Sequence, residues 1–183
     1  MSNVSSQVAA AHLEFIEPIS ACLASKEPSL AQQDAVAVMI ATYREEGWSD
    51  LCRATVALLA GQATDEAALD DEDRMILAAI EQAAKEPGWL EGAVTEAEAQ
   101  AAEQIAALIL AATWGEREAL AALNEMRAAA QAAGLTGSTA HAFIAMVEGE
   151  RELDALLGAH KNAQTGLIER TLAALSDQER DPS

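Results

Sequence analysis

The chain has 183 residues and carries 30 acidic against 11 basic side chains, a formal net charge of −19 at pH 7. Hydrophobic residues make up 51% of it but aromatic residues only 3%, so a core can form but must be built mainly from small aliphatic side chains. This hydrophobicity argues against disorder. The lack of a basic patch argues against direct binding to nucleic acid or to an anionic membrane surface.

No targeting or membrane-spanning segment is predicted. The first residues, MSNVSSQVAAAHLEFI, lack the basic and long apolar regions of a signal peptide. The most apolar stretch, IAALILAATW, is far shorter than the roughly 18–20 residues that a membrane span needs. Cys22 and Cys52 form no CxxC pair, so we expect two reduced thiols in a cytoplasmic protein.

Helical periodicity runs through almost the whole chain, and no alternating strand pattern is present. The first predicted helix covers 7–24 and contains Pro18, so we expect a kink or break near Glu17. A Ser-x-x-Gln pattern at Ser29 and Gln32 predicts a capping box that starts the second helix.

Acidic residues mark the start of the fourth predicted helix. Asp70 is placed to cap it, and Asp71, Glu72 and Asp73 fill its first turn, where the positive end of the helix dipole favours carboxylates. Capping is the simplest interpretation of these four residues. The alternative is that they recognise a partner protein, and they are the candidate partner-binding residues of the sequence.

The segment WLEGAV, 89–94, is the predicted boundary between two units. Thr95 and Glu98 match a second capping box, which predicts that the longest helix begins at Thr95 and ends near Trp114. Three further helices follow, and Ser138 is the predicted N-cap of the second of them.

These elements predict an all-α fold of about eight helices, arranged as two similar four-helix units in a bundle or short solenoid-like array. The units are expected at 7–92 and 93–176, with flexible ends at 1–6 and 177–183.

An internal duplication is favoured by two stretches that match at a constant offset. ATVALLAGQATDEAAL, 54–69, and AFIAMVEGERELDALL, 142–157, share alanine, glycine and leucine positions and the order helix, glycine, acidic turn, leucine. Chance similarity between alanine-rich helices is the alternative, since glycine is the usual helix stop.

The stretches ATVALLAGQATDEAALDDEDRMILAAI and MVEGERELDALL resemble helical segments that flank tetratricopeptide-repeat arrays in bacterial multidomain proteins. The resemblance covers residues 48–84 and 119–175. The chain does not match a tetratricopeptide repeat itself, because the period and the expected glycine, tyrosine and proline positions are absent. What the resemblance implies is helical packing and contact with another protein.

The pairs EEGW, 45–48, and EPGW, 86–89, each place a tryptophan after a helix-ending glycine. We expect Trp48 and Trp89 to pack back on the preceding turn, as in the Schellman arrangement. Exposed tryptophans forming a binding patch are the alternative.

No motif for catalysis or metal binding is present. None of the three histidines follows a glutamate by three residues, and the sequence contains no HExxH motif, nucleophile elbow, Walker loop or dinucleotide fingerprint. We therefore predict no catalytic residue, no metal ligand and no cofactor.

The sequence favours a non-enzymatic protein-interaction module, a scaffold or adaptor with an unidentified protein partner. A basic partner is compatible with the net charge, and a homodimer is compatible with the alanine-rich helix stripes. The alternative is an acidic decoy or inhibitor that occupies a basic, nucleic-acid-binding site on a target. A small-molecule or enzymatic role is the third hypothesis.

Overall fold

The computed structural model describes residues 2–180, with the side chains of 2–4 and 66 left out. Within that range the chain forms ten α-helices and one 3-10 helix. The helices of the first half are α1 Ser2–Ala11, α2 Leu13–Ala24, α3 Leu30–Glu45, α4 Ser49–Leu59, the 3-10 helix Glu66–Ala68 and α5 Asp71–Lys85. Those that follow are α6 Trp89–Thr113, α7 Arg117–Ala132, α8 Thr139–Val147, α9 Leu153–Ala159 and α10 Thr165–Arg180.

The predicted all-α class is confirmed. Residues 2–180 contain no β-strand, and their one isolated bridge joins Ser138 to Asn162. The chain divides into two compact units between Ala97 and Glu98, inside α6. The expected flexible ends overlap helices, because α1 begins at Ser2 and α10 continues to Arg180; Met1 and residues 181–183 lie outside the described range.

The predicted number of eight helices, four to a unit, is wrong. The single helix expected over 7–24 is two, separated at His12 rather than near Glu17. Because α2 begins at Leu13, Pro18 removes one early hydrogen bond, to the carbonyl of Glu14, and the helix continues through it. The other addition is α9, a seven-residue helix that is not among the eight predicted.

The predicted start of the longest helix at Thr95 is also wrong, since α6 begins six residues earlier at Trp89. The Thr95 hydroxyl donates to the carbonyl of Glu91 (2.9 Å), which is the bond of a threonine inside a helix and not of a cap. No proline interrupts residues 89–95. Nothing therefore prevents helical hydrogen bonding from starting at Trp89.

Helix ends follow the sequence closely. Ser29 and Gln32 form the predicted capping box at the start of α3. Five helices end in the Schellman arrangement, with a glycine at positive φ and the next residue donating to a carbonyl five residues back. These glycines are Gly47, Gly61, Gly115, Gly134 and Gly149.

The core of the first unit is built from four helices. Phe15, Ile16 and Ile19 of α2 are fully buried, and α2 makes its most extensive contact with α5, through residues that include Ile76 and Ile80. The other buried members of this cluster come from α3, α4 and the segment before α5: Val36, Ile40, Leu51, Cys52, Ala54, Leu69, Leu77 and Ala79. The first unit is thus organised around one helix pair.

The core of the second unit uses smaller side chains. Its most extensive helix contact joins α7 to α8. Four alanines belong to its buried cluster, together with larger residues from every helix of the unit: Ala106, Ile109, Leu110, Ala112, Ala119, Leu123, Ala142, Phe143, Ile144, Met146, Leu156, Ile168 and Leu175. Alanine buries little area, so this core depends on close approach of helices.

Candidate functional site

The first candidate residues, at the start of α5, serve the helix itself. Asp70 is the N-cap, and its carboxylate accepts a hydrogen bond from the backbone N–H of Asp73 (2.8 Å). Asp73 is only 8% exposed. Burial raises the pKa of its carboxyl group, and the nearby Asp70 carboxylate raises it further. Asp70 therefore caps the helix, and Asp73 is a buried acid.

The other two acids are held by basic neighbours. Asp71 pairs with Arg74 of the same helix (2.8 Å). Glu72 contacts the imidazole of His12, between α1 and α2 (3.0 Å). The structure thus brings the four acids together at one helix start, with three of them engaged by groups of the first unit. This arrangement accounts for the sequence without a partner.

Trp48 lies in a small aromatic cluster of the first unit. Its ring stands edge-on to His12 with centroids 5.4 Å apart, and Tyr43 lies 6.4 Å away. The backbone N–H of Trp48 donates to the backbone carbonyl of Tyr43 (3.0 Å), which completes the predicted Schellman arrangement. Trp89 is half-buried against the core of the first unit. Its backbone N–H donates to the backbone carbonyl of Glu86 in an ordinary turn, so the predicted Schellman geometry is wrong at Trp89.

The histidines of the second unit lie side by side. His141 and His160 have ring centroids 6.3 Å apart. Ser138 is the N-cap residue of α8, as predicted, but its hydroxyl meets Nδ1 of His141 (3.0 Å) and makes no side-chain cap bond. Burial lowers the pKa of His160, and the neighbouring His141 lowers it further. Within residues 2–180 no group of three or more His, Cys, Asp or Glu side chains could hold a metal ion.

A groove of about 680 Å³ lies in the first unit. It is bounded by the end of α2, the α2–α3 connection, one side of α3 and the outer side of α4. We call it the α3 groove, and its lining residues are Cys22, Leu23, Ser25, Lys26, Pro28, Gln33, Val36, Ala37, Ile40, Ala41, Arg44, Val56 and Leu59.

The α3 groove exists because α3 is poorly covered. Of its sixteen residues only Val36 and Ile40 are buried. Leu30 begins the helix with 78% of its surface exposed, and Ala37 and Ala41 continue the same apolar line at i+7 and i+11. Val36 and Ile40 line the groove together with the exposed Ala37 and Ala41, while Leu30 lies outside its lining.

Two cations accompany this apolar surface. Lys26 lies in the connection before α3, and Arg44 lies in the last turn of α3, where the negative end of the helix dipole favours a positive charge. Among the described side chains, no Asp or Glu lines the groove. None of these carboxylates pairs with either cation, whereas six of the other basic side chains have such a partner.

The cysteines differ in access to the α3 groove. Cys22 is half-buried and lines it, whereas Cys52 is buried behind it and donates its S–H to the carbonyl of Ile40 (3.4 Å). Burial raises the pKa of the Cys52 thiol, although Arg44 acts in the opposite direction. Cys52 is therefore a core residue, while Cys22 can report on the groove.

Sequence reasoning did not find the α3 groove. It predicted the capping box at the start of α3 but did not use the apolar line formed by Leu30, Ala37 and Ala41. That line was the available signal, because a helix that packs on the core through one face needs only one apolar stripe.

No protein-family model, no curated protein and no solved structure matches the chain. In the part of the chain that the structure describes, no helix is both long and apolar enough to cross a membrane.

Proposed function

We propose that the protein is a non-enzymatic interaction module and that the α3 groove receives an amphipathic helix of a partner protein. The observation that carries the proposal is the exposure of α3, which leaves an apolar line from Leu30 to Ala41 beside the buried Val36 and Ile40. Exposed apolar surface of this kind, rimmed by polar groups, marks a binding surface more often than a solvated one.

The shape of the groove supports a helical occupant. Between Gln33 and Arg44 the groove follows α3 for eleven residues, which is roughly 16 Å at 1.5 Å per residue. A partner helix of about three turns has the same length. Helix-in-groove recognition uses apolar anchors at i, i+3, i+4 and i+7, and the aliphatic residues that line the groove offer matching contacts.

Comparative affinity purification from the native host tests the proposal. Ala37→Glu places a charged side chain in the α3 groove, whereas the matched control Ala35→Glu places it about 200° further round the same helix. Both alanines are exposed and glutamate is a good helix former, so both variants should fold. We expect a partner that is retained by the natural chain and by Ala35→Glu but is lost with Ala37→Glu.

A partner retained equally by both variants would contradict the groove as the binding site. The competing account is the acidic decoy, for which the net charge of −19 is the motive. A decoy partner would be insensitive to Ala37→Glu, would dissociate at high salt, and would be lost when Asp70 and Asp71 are replaced by asparagine.

We also infer that the two units share an origin by duplication and that the module works in the cytoplasm. The duplication is supported by the order helix, Schellman glycine, short helical segment and helix, which is α4, Gly61, the 3-10 helix and α5 in one unit and α8, Gly149, α9 and α10 in the other. The location is supported by two free cysteines. Halves of homologous sequences that align no better to each other than to unrelated alanine-rich helices would contradict the duplication.

A further inference from the structure

We infer that the partner helix carries acidic side chains at both ends of its apolar stretch, which pair with Lys26 and Arg44. This inference rests on the proposed function and adds the chemistry of the partner. It is an unexpected assignment, because the exterior of a chain with 30 acidic residues would otherwise attract a basic partner.

Charge complementarity carries the inference. The α3 groove is lined by two cations and no carboxylate, although the chain has almost three acids for every base. Six of the eleven basic side chains pair with a carboxylate, for example Arg53 with Asp50 (2.5 Å) and Lys85 with Glu81 (2.7 Å). Lys26 and Arg44 have no such partner among the described side chains, and a basic helix would meet repulsion at both positions.

Placement of the two cations sets the order of charged and apolar residues. Lys26 lies in the connection that precedes α3, while Arg44 lies in the last turn of α3. Ala37 and Ala41, which also line the groove, lie between them along the chain. A helix lying along α3 would therefore present acids at its two ends, with apolar residues between.

The test is a selection from a phage library of random 18-residue peptides against the full chain. Peptides that also bind the Ala37→Glu variant are removed by counter-selection. We expect enrichment of peptides with Asp or Glu at both ends of an apolar segment of about ten residues. Two exposed ion pairs should make the enriched peptide bind about 2- to 30-fold more tightly than its Gln-ended analogue.

Charge reversal provides the second arm. In the double variant Lys26→Glu, Arg44→Glu, the acid-ended peptide should lose affinity and a Lys-ended analogue should gain it. The matched control is Arg117→Glu, Lys161→Glu, which changes the net charge equally but alters two cations of the second unit. This control should leave the preference for acidic ends unchanged.

The outcomes separate the two proposals. Groove-dependent peptides with neutral or basic ends, or affinities that both double variants change equally, would overturn the acidic partner and leave the proposed function standing. If no peptide distinguishes the natural chain from Ala37→Glu, the proposed function itself is overturned.

Discussion

In the first unit the most extensive helix contact joins α2 and α5, whereas in the second it joins α7 and α8, and four of the thirteen residues of the second unit's buried cluster are alanine. Only two alanines occur among the thirteen residues of the first unit's buried cluster. Both units nevertheless end their helices with the same glycine arrangement. The two units thus share a way of ending helices, whereas the side chains that pack between their helices differ.

Two buried threonines, one in each unit, differ in their hydrogen bonding. Thr55 of the first unit is fully buried and its hydroxyl has no hydrogen-bond partner among the described residues. Thr171 of the second unit is equally buried, but its hydroxyl donates to the carbonyl of Leu167 (2.8 Å). Burial of the hydroxyl is therefore compensated at Thr171 and not at Thr55.

Deleting one large core side chain from each unit should have the largest effect. Phe15→Ala should lower the free energy of unfolding of the first unit by about 3–5 kcal/mol, and Leu123→Ala that of the second by about 2–5 kcal/mol. Both side chains are fully buried. Chemical denaturation followed by hydrogen exchange, read separately for the helices of each unit, checks this. A loss below about 1 kcal/mol in either case would mean that the assigned core is wrong.

Replacing the two buried threonines should give effects of opposite sign. Thr55→Val removes an unsatisfied hydroxyl and keeps its shape, so we expect a stabilisation of about 1–2 kcal/mol. Thr171→Val removes a satisfied hydroxyl that bonds within its own helix, so we expect a change of about 0 to 1 kcal/mol in the destabilising direction. Urea unfolding of both variants checks the signs, and a destabilised Thr55→Val would show that its hydroxyl has a partner.

Ser29 and Thr95 test whether a capping motif acts as a cap. Ser29→Ala should cost about 0.5–2 kcal/mol, because its hydroxyl accepts a bond from the backbone N–H of Gln32. Thr95→Ala should be within about 0.5 kcal/mol of the natural chain, since Thr95 lies inside α6. Thermal unfolding measures both, and equal losses would place a helix start at Thr95.

Acid should affect the two units in opposite directions. Burial lowers the pKa of His160 below its ordinary value of 6.5, so the unfolded chain takes up the proton first and the second unit loses stability as the pH falls below 6.5. Burial raises the pKa of Asp73 above its ordinary value of 3.8, so the stability that protonated Asp73 confers is present below 3.8 and is lost as the pH rises through the folded pKa.

The matched variants isolate these small effects. Relative to His160→Gln, the natural chain should become less stable between pH 7.5 and pH 5.5. Relative to Asp73→Asn, it should become more stable as the pH approaches 3.8. Parallel pH curves for the natural chain and both variants would contradict the two assignments.

The sequence was sufficient for features that depend on a few neighbouring residues. The Ser29 capping box, the Asp70 cap and the helix-ending glycines all follow from local hydrogen bonding. Pro18 and Thr95 led to wrong helix boundaries, because proline and threonine are tolerated inside helices when the helix start lies elsewhere. A helix start depends on which earlier residues are already helical, and a motif of four residues does not contain that information.

The candidate site was harder, because it depends on which helix face stays uncovered. The α3 sequence shows two apolar lines, but only packing decides that Val36 is buried while Leu30 is exposed. Lys26 and Arg44 come from different segments of the chain. Both line one groove because of the turn between α2 and α3. The four acids that begin at Asp70 stood out in the sequence because they lie together at one helix start, where carboxylates are favoured.

The most direct test of the central claim is a hydrogen-exchange footprint of the full chain with a peptide selected for groove-dependent binding. We predict slower amide exchange in α3 and in the adjoining parts of α2 and α4, with no change in the first turn of α5. Protection confined to the residues around Asp70, with α3 exchanging as in the free protein, would contradict it.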